Sequence, residues 1–252
     1  MPRSDAPPAD MGRLAAPAVP PPRTAQALAD DDDLARRGRR LVAETVPIVA
    51  AQAWADAAAP LAMATRADGS RQRAYTDATN LRWRSETSPL PVAADAARAR
   101  ELYDAAHRAY TAGRKLEAVE LDLRALAANP RDPDVAGFLA FLHLRTSPTR
   151  PETARQLALH ALAVSGSRRG TRFEDWNTFA VASALTGRNA DATRAYLLML
   201  GLSNDAERSC RAVLRAHATF GEAMRPTVEA LSQRIRRDGR VDEAPDCATA
   251  PS

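Results

Sequence analysis

Residues 99–130, ARELYDAAHRAYTAGRKLEAVELDLRALAANP, constrain this chain more than any other stretch, because they read as two short helices folded back on each other. Gly113 supplies the turn. Asn129-Pro130 closes the second helix, since proline lacks the backbone donor that another turn would need. Ala105, Ala106, Ala109, Ala118 and Ala125 recur where two helix backbones must approach closely.

The unit returns downstream. Leu102-x2-Ala105-Ala106-x2-Ala109 is answered by Ala136-x2-Leu139-Ala140-x2-His143, followed by a loop lengthened around residues 147–151 and the second helix ETARQLALHALAVSG. A third copy reads Trp176-x2-Phe179-Ala180-x2-Ser183, Gly187, then Ala192-x3-Tyr196. This spacing resembles the tetratricopeptide repeat (TPR), whose period is about 34 residues. Asp122 departs from the pattern, standing where an aromatic is usual. The resemblance covers residues 93–203.

The resemblance implies an all-α fold: a TPR-type α-solenoid of antiparallel helix pairs, stacked right-handed, each pair touching only its neighbours, with capping helices at its ends. It further implies a concave groove, lined by first helices, that grips a peptide or a partner helix. Carried over position by position, the groove is lined by Tyr103, His107 and Tyr110 from the first copy, Phe141 and Leu144 from the second, and Asn177 and Val181 from the third. That lining is aromatic and apolar, which suits a segment read by anchors rather than by charge. The co-chaperone subclass clamps a C-terminal carboxylate with lysines and asparagines. Tyr103 and His107 occupy the corresponding first-copy places here, which argues against a chaperone-tail receptor. Phe141 and Leu144 also fit packing between repeats. The tyrosines are the better candidates for contact, because their rings can bury while their hydroxyls stay wet.

Composition agrees with helices. Hydrophobic residues make up 45% of the 252, enough for a core, but aromatics only 5%, which suits alanine-padded helix packing better than a sheet. The net charge of +4 raises the question of nucleic acid. Lys115 is the only lysine, and the arginines are scattered over every segment without a basic stripe interleaved with aromatics, so no nucleic-acid partner is expected. The longest apolar run, residues 46–64, is broken by Pro47, Gln52, Asp56 and Pro60, so no membrane span is expected. The N-terminus shows no secretory apolar core, which points to a cytoplasmic protein, or a periplasmic one if a leader has been removed. Cys210 and Cys247 admit either one disulfide pinning the tail or two free thiols.

The flanks divide as follows. Residues 1–29 are rich in proline and alanine and are expected to be a disordered leader. Residues 30–92 should hold a helix over 32–43, a second helix capped by Thr45 and running to 58, and a small β-hairpin arm around Asp68-Gly69. The two helices either cap the first repeat or dock elsewhere, with capping favoured. Trp83, between Arg82 and Arg84, reads either as buried under the arm or as an exposed recognition patch. Residues 204–239 are expected to be C-terminal capping helices, with Arg234, Arg236 and Arg237 on a polar outer face, and 240–252 a flexible tail.

Catalytic signatures are missing from the sequence. There is no G-x-x-x-x-G-K-[ST], G-x-G-x-x-G, G-x-S-x-G or H-E-x-x-H. His107, His143, His160 and His217 fall on different helices; His143 and His160 share one repeat but lack a third ligand, so neither a metal nor a cofactor is expected. Carboxylates such as Glu101 and Asp104 read as a solvated helix face. The expectation is therefore a non-enzymatic adaptor or scaffold, bacterial in composition, that binds a protein or peptide, with self-association left open. The alternative is an exported structural subunit or assembly factor of an envelope, secretion or pilus machine, which a Cys210–Cys247 bridge would favour. An active site hidden in residues 61–86 would be a third reading, but no nucleophile there has a base nearby.

Overall fold

The computed structural model describes residues 25–57, 94–165, 172–203 and 206–237, and its regular structure there is helical throughout. The helices are α1 (Ala25–Arg40), α2 (Val46–Ala57), α3 (Ala96–Thr111), α4 (Lys115–Ala128), α5 (Pro133–Arg145), α6 (Pro151–Val164), α7 (Phe173–Leu185), α8 (Asn189–Ser203), α9 (Ala206–Phe220) and α10 (Arg225–Arg237). No helix among the described residues is long and apolar enough to cross a membrane. The expected hairpin at residues 61–86, Trp83, the tail and the partner thiol Cys247 lie outside the described residues, as does the side chain of Cys210.

Local chemistry sets the helix ends. Asp95 caps α3 by accepting from the Arg98 N–H at 2.9 Å. Asp132 does the same for α5, accepting from Asp134 at 2.9 Å, and Pro133 fills the first turn, where a missing N–H costs nothing. Gly113 and Gly187 adopt φ of 78° and 76°. These left-handed positions let α3 turn back as α4, and α7 as α8.

Short connections then force antiparallel pairs: α3 packs on α4, α5 on α6 and α7 on α8, while α4 meets α5 and α6 meets α7. Ala106, Ala109, Ala118 and Ala125 are at most 1% exposed, so the backbones approach where the small residues recur. Leu126, Leu139, Leu157, Leu162, Trp176, Phe179 and Tyr196 fill the space between pairs. Each such leucine contributes about 2 kcal/mol on leaving water.

The N-terminal helices differ from the sequence expectation. Thr45 caps nothing, because the chain stays helical from α1 to α2 through a π turn, Leu41–Thr45, in which the Val46 N–H donates to the Leu41 carbonyl. The widened turn answers Pro47, which cannot donate and whose ring would crowd the carbonyl four residues back. α1 begins at Ala25, inside the stretch expected to be leader. Nor is this rod confined to the first pair. α1 lies on α4 and α2 on α6, and Trp54 reaches Phe179 of α7 with ring centroids 4.8 Å apart. It straps the outer side of all three pairs.

Polar contacts fix the strap's register. Asp31, buried, meets Arg98 at 2.8 Å and Arg124 at 3.4 Å. Arg39 meets Glu120 at 2.7 Å. At the far end of the molecule, α9 packs on α7 and α8, and α10 packs on α8, joined by a 3-10 turn (Gly221–Met224) that buries Met224.

Candidate functional site

On the side away from the strap the molecule opens into a cleft of about 770 Å³. α3 and α5 form one wall, α7 the floor and α9 the far wall. All seven residues assigned to a groove from the sequence line this one space: Tyr103, His107, Tyr110, Phe141, Leu144, Asn177 and Val181. They meet because i, i+4, i+7 spacing puts Tyr103, His107 and Tyr110 on one face of α3, and i, i+3 spacing aligns Phe141 with Leu144 on α5.

The seven do not present themselves equally. Leu144 and Val181 are 5% and 4% exposed and belong to the core, so they back the cleft rather than offer a contact surface. Tyr103, His107, Tyr110, Phe141 and Asn177 are half-buried. The Asn177 amide oxygen accepts from the Tyr196 hydroxyl at 3.3 Å, which anchors that side chain to α8.

Phe138, which the sequence reading passed over, is the hub. Its ring stacks on His107 at 3.8 Å and 11°, meets Tyr103 and Tyr110 edge-on at 5.7 and 6.0 Å, and lies 6.1 Å from Phe141. Its position three residues before Phe141 was the available signal. Edge-to-face pairs of this kind hold aromatic walls rigid, each contributing about 1 kcal/mol beyond buried area. Burial shapes the ionisation as well. It pushes the Tyr103 hydroxyl up to about 12, with Asp134 and Asp122 adding to the effect, and holds the His107 ring below its ordinary value, so both are neutral near pH 7.

Charged groups flank the rings. Arg172 donates to Asp175, to Asp134 and, at 2.8 Å, to the Pro133 carbonyl, tying the start of α7 to the start of α5. Burial raises the Asp175 carboxyl to about 6 despite that partner. Gly137 lies close beside it, and a Cβ there would press on the ends of the Asp175 and Arg172 side chains. Arg145, at the end of α5, and Arg215 and Phe220, on α9, line the opposite end.

His143 and His160 serve the core. His160 is fully buried with Nε2 bonded to the Pro130 carbonyl at 2.8 Å, and His143 is also buried; burial lowers both to about 4. No cluster of three His, Cys, Asp or Glu side chains that could hold a metal occurs among the described residues. Asp122 is wholly buried with neither oxygen hydrogen-bonded, and burial, reinforced by Asp132, raises it well above 3.8.

Compared with family models, characterised proteins and solved structures, the chain matches none.

Proposed function

We propose that the chain is a non-enzymatic adaptor of the tetratricopeptide-repeat kind, a stack of antiparallel helix pairs whose cleft holds a segment of a partner protein. One observation carries the reading: seven residues assigned to a groove by repeat position line a single open cleft, joined there by Phe138. The cleft is open to solvent, and its rings brace each other while staying half-exposed. Rigid half-exposed aromatics lose little conformational entropy on contact, which is what interface anchors need. A strand or helix of a partner, offering apolar side chains at regular spacing, fits such a surface.

The test is selection of binders from a random-peptide library displayed on phage, panned on the full chain. Selected peptides should compete with one another, and the Tyr103→Ala/Tyr110→Ala double variant should bind them about tenfold more weakly while keeping its helical circular dichroism. Unchanged affinity in the double variant would move the site off the cleft.

A further inference from the structure

The two ends of the cleft differ in how their charges are satisfied. Where α5 and α7 begin, Arg172 is committed to Asp134, Asp175 and the Pro133 carbonyl. Where α5 ends against α9, Arg145 and Arg215 line the same cleft, both exposed, and neither has a carboxylate within ion-pair reach among the described residues. Two cations lining one end of a cleft, neither of them neutralised among the described residues, favour an anionic group over a cationic one there.

Arg145 is also held in place. Its guanidinium carbon lies 5.3 Å from the centre of Phe141 and 5.8 Å from that of Phe220, rings on two different helices. Cation–π attraction steadies the planar group and leaves its N–H donors uncommitted. A donor fork steadied before binding loses less entropy when it meets the two oxygens of a carboxylate.

From this juxtaposition we infer that the occupant of the cleft is an acidic peptide segment, a refinement that rests on the adaptor reading. An apolar side chain of the segment sits on the Phe138 and Phe141 rings, and a side-chain carboxylate close to it in sequence bridges Arg145 and Arg215. The specificity is therefore for an apolar anchor beside Asp or Glu. Nucleic acid fits less well, because two exposed arginines at one end of the cleft do not make the continuous cationic groove that tracks a phosphate backbone.

The peptides selected on the full chain supply the probe, titrated by fluorescence anisotropy against the wild type, the Arg145→Glu/Arg215→Glu variant and Phe141→Ala. Both arginines are exposed, so the reversal leaves the fold intact, as circular dichroism will register. The selected peptides are expected to carry Asp or Glu near an aromatic or aliphatic residue and to lose about tenfold in affinity on charge reversal. Replacing their acids with lysine should invert the preference, giving tighter binding to the reversed protein than to the wild type. A merely structural role for the arginines would not produce that inversion. Peptides that weaken with Phe141→Ala but bind the reversed protein unchanged would overturn the acidic inference and leave the adaptor reading standing. A library that yields no binder, or only binders indifferent to every cleft substitution, would overturn both. Displacement of the peptides by polyuridylate at matched charge concentration would overturn the inference in favour of a phosphate polymer.

Discussion

The outer face made by α4 and α6 and the inner face made by α3, α5 and α7 come from the same helix pairs, yet one is covered by the chain's own N-terminal rod and the other opens into a cleft. Side-chain size accounts for the difference. The rod buries Ala35, Gly38, Val46, Ala50 and Ala53, small groups that let backbones close to contact distance. The inner face offers Tyr103, His107, Tyr110, Phe138 and Phe141, which brace α3 against α5 and leave large half-buried rings along the cleft. The face where small residues gather is covered, and the face where large stacked rings gather stays open.

The sharpest way to break this comparison is to add one methyl group to each face. Gly38→Ala places a Cβ inside the Leu123 carbonyl, a backbone group that cannot step aside. It should cost about 3 kcal/mol in urea unfolding, although alanine is ordinarily the better helix former. Gly137→Ala, on the cleft side, meets the ends of Asp175 and Arg172, side chains that can swing, and should cost about 1 kcal/mol. Equal costs would mean that the strap is no tighter than the cleft.

Next in size is the strap's polar latch. Asp31→Ala leaves Arg98 and Arg124 without the carboxylate they share and should cost about 2 kcal/mol. It should also change the fluorescence of Trp54, the residue by which the strap reaches α7. If stability falls while Trp54 emission stays put, the latch and the far end of the strap are uncoupled.

The smallest effect is on pH dependence, where two groups of buried residues work in opposite directions. His143 and His160, lowered to about 4 from 6.5, contribute stability that is present above 6.5 and lost as pH falls through 4. Asp122, raised above 3.8, contributes stability that is present below 3.8 and lost as pH rises through its folded value. Asp122→Asn should therefore raise the thermal unfolding midpoint at pH 7 by a few degrees and leave it unchanged at pH 3, followed by circular dichroism. Equal gains at both pH values would show that Asp122 does not titrate between them.

Much of the inner face was legible in the sequence. Gly113, Gly187 and Asn129-Pro130 mark turns that depend on backbone chemistry within a few residues, and helical spacing alone aligns Tyr103, His107 and Tyr110. Phe138 was missed because repeat position points to Phe141 and says nothing of the ring one turn earlier. Arg145's place between Phe141 and Phe220 was not legible at all, since those rings are far apart in the chain and meet only when α9 docks.

By itself the sequence determined the helices from α3 to α8, their turns and the face on which the aromatic residues gather, because these follow from hydrogen bonding and periodicity inside each short segment. Only the tertiary structure decided that α1 and α2 join through a π turn and lie along the outer side, that Asp122 is sealed from water, and that Arg145 and Arg215 share a cleft end. Each of those depends on contacts between segments distant in sequence, where shape, and not local pattern, selects the partner.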